Sequence, residues 1–294
     1  MTLSRRDVLR AAAAGALASG GTMGGEQMLT RPIPRTREQV PAIGMGTWRT
    51  FDTAERTALV EVVRTLLDAG GAVIDSSPMY GRSETTVGEV LRDLRGEKRP
   101  FLATKVWTSG KEEGIAQMRD SIRKLGRVDL MQIHNLVDWR THLPTLRAWK
   151  ESGTIRYWGI THYSVSAFAE MESILAAEKP DFVQLPYSLG VREAERRLLP
   201  ACAARGAAVL VMRPFEGGSL FSDARKRPLP GWAAEIDCTS WAQVFLKFIL
   251  GHPAVTCPIP ATSNPAHMAD DVRAGFGRLP DEAMRRRIVK EVFG

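Results

Sequence analysis

From residue 40 onward, short apolar runs alternate with longer segments in which apolar residues recur every three or four positions, and the alternation happens eight times. The runs are AIGMG (42–46), AVIDSS (72–77), PFLATKV (100–106), DLMQIHN (129–135), YWGITH (157–162), DFVQLPY (181–187), AAVLVMR (207–213) and VTCPIPA (255–261). Between them lie segments such as AERTALVEVVRTLLDAG and GIAQMRDSIRKLG, which read as amphipathic helices stopped by glycine. Strand and helix in regular succession over about 250 residues predict a parallel sheet, and eight units predict an α/β fold of the closed (β/α)8 TIM-barrel type. An open doubly wound sheet is the alternative, but no G-x-G-x-x-G opens a helix after the first strand. No linker or shift in composition divides the chain, so residues 31–294 read as one barrel domain, with a C-terminal helix from about Asp281, and residues 1–30 as a separate N-terminal segment.

Composition removes several function classes. With 294 residues, 44% hydrophobic and 25% charged, the chain has ample material for a globular core. The net charge of +7 raises the question of nucleic acid, but Lys and Arg are spread through every predicted helix instead of gathering in one run with interleaved aromatics, so no nucleic-acid partner is expected. Cys202, Cys238 and Cys257 are far apart, odd in number and without a C-x-x-C pattern, which reads as small apolar core residues and predicts neither disulfide nor zinc. No stretch reaches the roughly 18 apolar residues of a membrane span, so stable membrane insertion is not expected.

In a barrel the C-terminal ends of all strands converge on one face, and that face carries the chemistry. Polar residues at those ends are Asp75 and Tyr80, Lys105, His134, Thr161 and His162, and Gln184. A buried Lys near a buried Asp must pair or lose its charge, which predicts an Asp75–Lys105 ion pair. An ammonium beside a phenol favours phenolate, so Lys105 is expected to lower the pKa of Tyr80 and make it a usable proton donor near neutral pH. His134 would orient a carbonyl oxygen by donating a hydrogen bond.

Taken in this order, Asp75, Tyr80, Lys105 and His134 resemble the Asp, Tyr, Lys, His tetrad of the aldo/keto reductases. The strings GMGTW, VIDSS with PMYGRSE directly after it, TKVW, GTIRYWGITHYS and FVQLPYS are similar to that family along nearly the whole chain after residue 40. The resemblance implies a barrel that binds a nicotinamide dinucleotide across the strand ends and reduces an aldehyde or ketone, with Tyr80 protonating the carbonyl oxygen, Lys105 and Asp75 tuning it and His134 positioning the substrate.

The same resemblance places the cofactor. Gly46, Thr47 and Asp75 fall at family cofactor positions, and Gln184 matches the carboxamide-binding Gln. Thr161 and His162 stand where the family has Ser-Asn, Met212 where an aromatic stacks on the nicotinamide, and Arg213, Phe215, Gly217 and Gly218 form the expected pyrophosphate cover. After strand eight the family's I-P-K-S, Arg and Asn are replaced: Ala261 stands for the Lys, Thr262 for the Ser, His267 for the Arg and Asp271 for the Asn. Two cations that would pair with a 2′-phosphate are missing, while Thr262, Ser263 and the following helix N-terminus remain as anion donors. The resemblance implies NADP(H), and these replacements leave it only slightly favoured over NAD(H). Trp48 and Trp107 would wall the substrate site, joined by Trp139, which points to a carbonyl compound with an apolar or planar portion.

Two rival readings use the same residues. Asp75, His134 and His162 would be the ligands of a metal-dependent barrel hydrolase, although the first strand has no H-x-H and Lys105 would place a cation beside the metal. The other is a barrel that binds nucleotide without catalysis and regulates a partner.

At the N-terminus, SRRDVLRAAAAGALASGG resembles a twin-arginine (Tat) export signal, with Arg5 and Arg6 followed by Val8, Leu9 and an alanine-rich run. That implies the Tat export machinery as a partner and a periplasmic or exported location, with a cytoplasmic one as the alternative.

Overall fold

The computed structural model describes residues 27–95, 98–224 and 226–293. All eight expected runs form strands: β3 (Met45–Gly46), β4 (Val73–Asp75), β5 (Phe101–Val106), β6 (Leu130–His134), β7 (Tyr157–Thr161), β8 (Phe182–Pro186), β9 (Ala208–Met212) and β10 (Cys257–Pro258). Each pairs in parallel with its neighbours in chain order. Gly44 N–H donates to the Pro258 carbonyl at 3.1 Å and Gly46 N–H to the Pro260 carbonyl at 2.9 Å, so the first and last strands meet and the sheet closes as a barrel. Closure requires glycine at 44, because a Cβ there would lie 2.7 Å from the Val73 Cβ and 3.1 Å from the Cys257 Sγ.

Two elements precede the barrel that its periodicity does not reveal. β1 (Thr30–Pro32) and β2 (Gln39–Pro41) pair antiparallel. Their strands are three residues long and carry Pro32 and Pro41, which erases any alternating pattern in the sequence. Ile33 and Val40 from this hairpin are buried in one cluster with Val73, Phe101, Leu130, Tyr157 and Phe182, side chains near the starts of the barrel strands. The hairpin thus seals the N-terminal end of the barrel.

The surrounding helices are α1 (Thr57–Asp68), α2 (Ser83–Asp93), α3 (Lys111–Leu125), α4 (Trp139–Glu151), α5 (Phe168–Glu178), α6 (Leu198–Arg205), the short α7 (Phe221–Ala224), α8 (Trp241–Leu250), α9 (Pro265–Arg273) and α10 (Glu282–Phe293). In α1 the buried positions Leu59, Val62, Val63, Leu66 and Leu67 follow the three-and-four spacing, so one face packs on the sheet. The outward-facing strand residues Ile74, Leu102, Met131, Ile160 and Val183 join these helical faces in the main core. α10 is the expected C-terminal helix, held by Arg285, which donates to the Phe248 carbonyl at 3.1 Å and also bonds Tyr187 and Glu195. Cys202, Cys238 and Cys257 are free and buried, as expected of small core residues. Among the described residues no helix is long and apolar enough to cross a membrane.

Strand alternation then builds the site. Inward positions at the strand starts are apolar, namely Val73, Phe101, Ala103, Leu130 and Phe182. The next inward positions are Asp75, Lys105, Gln132, His134, Thr161 and Gln184, all buried polar groups. A period of two therefore converts separate strand ends into one polar layer above an apolar floor.

Candidate active site

Asp75 is the centre of that layer. Lys105 Nζ lies 2.5 Å from Asp75 Oδ2, and the side chains are almost wholly buried. Oδ1 accepts from Gln132 Nε2 and Gln184 Nε2 at 2.9 Å each. Gln184 Nε2 also reaches Gln132 Oε1 at 3.3 Å, and Thr161 donates to Gln184 Oε1 at 3.2 Å. A buried ion pair is sustained only when its remaining hydrogen-bonding capacity is met, and here both carboxylate oxygens are served. The expected Asp75–Lys105 pair is present.

Lys105 is fixed from a second side by the Ser76 carbonyl at 2.7 Å. Burial works against its ammonium, but Asp75 and Tyr80 outweigh that penalty and the amine's pKa is raised, so it stays cationic. The ammonium sits 4.8 Å from the centroid of the Tyr80 ring. Tyr80 follows from a tight turn after β4, with its N–H on the Ser77 carbonyl at 3.0 Å and its own carbonyl receiving Ser83 N–H at 3.1 Å. The expectation for its acidity is corrected. Burial pushes the phenol up, Lys105 opposes this, Asp75 adds to it, and the net direction is upward. Desolvation of the developing phenolate exceeds the attraction of one ammonium whose charge is already shared with Asp75. Tyr80 accordingly keeps its proton at neutral pH.

His134 completes the group. Its ring meets Tyr80 edge-on at 5.8 Å between centroids and lies 6.5 Å from Trp107. Burial, then the charges of Lys105 and His162, push its pKa down to about 2, so the imidazole is neutral. The four residues of the tetrad thus converge.

The rim is apolar. Among the described residues, the large hydrophobic side chains that stay exposed are Trp48, Met79, Trp107, Tyr163 and Phe293. The first four follow β3, β4, β5 and β7 at the active end of the barrel, and an apolar rim of this kind marks a binding face. The Trp107 backbone is fixed by one side chain: its main-chain N–H donates to Gln117 Oε1 at 2.6 Å and its carbonyl accepts from Gln117 Nε2 at 3.1 Å. Trp139, by contrast, is partly buried and packed on the main core, so it belongs more to the base of the loop than to its wall.

The positions assigned to the dinucleotide lie around the same strand ends. Thr47 Oγ1 sits 3.1 Å from the Asp75 carbonyl and 3.0 Å from Ser76 Oγ, while Gly46 leaves 3.1 Å between an ideal Cβ and the Ile259 carbonyl. His162 is stacked on Tyr163 at 5.3 Å, and its Nδ1 accepts the Ser164 N–H at 3.0 Å. Met212 ends β9 against the interior cluster. Arg213 follows with φ +54°, exposed, and no hydrogen bond or ion pair among the described residues holds its side chain. Phe215 packs on Phe221 at 5.0 Å, and Gly217 and Gly218 have φ +71° and +102° with open space where a Cβ would be. After β10, Thr262 Oγ1 accepts Asn264 N–H at 3.0 Å, Asn264 caps α9 through Ala266 N–H, and Ser263 and His267 are exposed. Asp271 is buried, and burial together with Asp270 pushes its carboxyl well above the usual range.

Gln132 and Ser77 were not among the residues picked out in the sequence. Gln132 had a signal, since it shares inward parity with His134 two positions on. Ser77 had none beyond its place between Asp75 and Tyr80. It contacts His134 only through the meeting of β4 and β6, strands that are not neighbours.

Comparison with known proteins agrees with this geometry. The family model of the aldo/keto reductase family matches residues 42–288. The chain belongs to that family. The reductase is 30% identical to methylglyoxal reductase YeaE of Escherichia coli over 241 residues, 78% of this chain and 83% of the relative. Among solved structures it is similar to an aldo/keto reductase from Klebsiella pneumoniae in complex with NADP and acetate, with TM-score 0.73, 26% identity and coverage of 86% and 93% of the two chains. A second Klebsiella pneumoniae aldo-keto reductase structure, in complex with NADPH, gives TM-score 0.74 at 25% identity, covering 90% of this chain and 95% of the other. The reductase is therefore an oxidoreductase, and the non-catalytic reading falls away. The hydrolase reading meets a different obstacle: both oxygens of Asp75 are committed to Lys105, Gln132 and Gln184, and the Lys105 ammonium stands where a metal cation would have to bind. Among the described residues no three His, Cys, Asp or Glu side chains gather as a metal set.

Proposed function

We propose that the reductase reduces an aldehyde or ketone to an alcohol at the expense of a nicotinamide dinucleotide, with Tyr80 as proton donor. The observation that carries this reading is the convergence of Asp75, Lys105, Tyr80 and His134 on one strand-end layer. Tyr80 holds its proton at neutral pH as a phenol does, the more firmly because desolvation raises its pKa, and Lys105 stabilises the phenolate left when the proton passes to the carbonyl oxygen. Neutral His134 donates a hydrogen bond to that oxygen and orients it. The exposed apolar rim of Trp48, Met79, Trp107 and Tyr163 favours a substrate with a planar or apolar portion.

The residues present fit a dinucleotide. Thr161 and Gln184, bonded to each other, keep oxygen lone pairs as acceptors, Arg213 supplies a cation that no described residue holds, Gly217 and Gly218 open backbone, and α9 an N-terminus after Thr262 and Ser263. When bound, the dinucleotide supplies the hydride. NADP(H) is the favoured form, supported by the NADP and NADPH in the Klebsiella pneumoniae structures. Ala261, His267 and Asp271 weaken the grip on a 2′-phosphate and keep the preference over NAD(H) small. Titration with NADPH and NADH, followed by a carbonyl panel on wild type and Tyr80→Phe, tests the reading. Binding with turnover that drops at least about a hundredfold in the variant supports it, and failure of both nucleotides to bind refutes it.

Export through the Tat machinery is part of the proposal, supported by Arg5, Arg6 and the apolar run after them; these lie outside the described residues. That route carries folded proteins, so the enzyme would leave with cofactor bound. A fusion reporter found only in the cytoplasm would refute it.

A further inference from the structure

The chain leaving β4 does more than deliver Tyr80. Ser77 is fully buried, and its Oγ lies 3.0 Å from His134 Nδ1. The same Oγ accepts the Met79 N–H at 3.2 Å. A hydroxyl has one hydrogen to donate and two lone pairs, and the Met79 amide uses one of those lone pairs. Were Nδ1 the protonated nitrogen, it would donate to the second lone pair and leave the Ser77 hydrogen buried without an acceptor among the described residues. With the direction reversed, Ser77 O–H donates to bare Nδ1, and both the Ser77 hydroxyl and Nδ1 are satisfied. Neutral imidazole then carries its hydrogen on Nε2, which makes no hydrogen bond to any described residue.

We propose that Ser77 is a positioning residue that locks His134 in the Nε2–H tautomer, so that the ring presents a donor, and not a lone pair, to the carbonyl oxygen. The proposal rests on the donor role given to His134 under the proposed function. Its physical content is a choice between two neutral forms that differ little in energy in water. One hydrogen bond between two buried side chains is enough to decide that choice. One short loop would then organise the whole tetrad: Asp75 opens it, the Ser76 carbonyl holds Lys105, the Ser77 hydroxyl sets His134, and Tyr80 ends it.

The test is long-range proton–nitrogen correlation spectroscopy on the full chain with 15N-labelled histidine. His134→Gln assigns the His134 signals among the five histidines. Wild type should show a bare Nδ1 and a protonated Nε2. Ser77→Ala should shift the pair toward a mixture of tautomers, and Ser77→Thr, which keeps the hydroxyl, should restore the wild-type pattern. In turnover, Ser77→Ala should lower kcat/KM about tenfold, the worth of one hydrogen bond, with NADPH affinity unchanged and with rescue by threonine. A protonated Nδ1 in wild type, or a pattern unmoved in Ser77→Ala, overturns the lock. A tautomer that shifts in Ser77→Ala without any change in turnover supports the lock and instead overturns the donor role of His134.

Discussion

Asp75 and Gln184 hydrogen-bond at 2.9 Å across the width of the barrel, from the second and sixth of its eight strands. The same Asp75 oxygen accepts Gln132 from the fourth strand, while the other oxygen faces Lys105. Opposite walls are therefore tied through one carboxylate, which holds the ammonium beside Tyr80.

Removing the cation alone should be costly. Lys105→Met leaves Asp75 buried without its counter-charge and is expected to destabilise the fold by about 3–5 kcal/mol. Asp75→Asn combined with Lys105→Met should recover much of that loss, since no buried charge is left uncompensated. Urea denaturation of the single and double variants measures the difference, and equal losses would contradict the coupling.

His134 should be invisible in the pH dependence of the reaction. With its pKa pushed down to about 2, the imidazole does not charge above that pH, so kcat/KM should show no limb near the ordinary histidine value of 6.5 that His134→Gln removes. A rate profile in wild type and in His134→Gln decides this.

Asp271 should make stability fall as pH rises. Its folded carboxyl lies well above the ordinary 3.8, so above that value the unfolded chain has released the proton while the folded chain keeps it. The folded state then binds more protons, and stability falls by about 1.4 kcal/mol per pH unit until the folded value is passed. Asp271→Asn should remove that slope and raise the melting temperature at neutral pH. Thermal melts at several pH values check both.

Helices α2 and α3 touch through backbone at Gly88. An ideal Cβ there would lie 2.0 Å from the Lys124 carbonyl oxygen, and that oxygen cannot rotate away. Gly88→Ala is expected to cost about 3 kcal/mol despite alanine's better helix propensity, read as a lowered denaturation midpoint.

Trp107 should act on substrate and not on cofactor. Trp107→Ala removes an exposed aromatic surface while leaving the backbone bonds to Gln117 in place, and should raise KM for aryl aldehydes about tenfold, with smaller effects on short aliphatic ones. Steady-state kinetics on both substrate types, with NADPH affinity as the control, tests the assignment.

Legibility in the sequence followed the range of the forces involved. The eight strands were readable because each buries an apolar run and is followed by helical periodicity, both local patterns. The β1–β2 hairpin was not, since Pro32 and Pro41 mask its short strands and its stability comes from plugging the barrel floor with Ile33 and Val40. Residue types at strand ends disclosed Asp75, Lys105 and His134 as neighbours. The acidity of Tyr80 went the other way because it depends on how much water the fold removes, a quantity no spacing encodes.

By itself, then, the sequence determined the parallel eight-unit order and the polar residues at the strand ends, since these follow from local periodicity and one topological rule, while the resemblance to the aldo/keto reductases singled out four of them as a tetrad. Tertiary structure alone decided that Gln132 and Gln184 share an oxygen of Asp75, that Ser77 faces His134, and that burial outweighs Lys105 at Tyr80. Each of these depends on side chains from non-adjacent strands meeting across a closed interior, where distance and desolvation are set by the barrel's closure and not by separation along the chain.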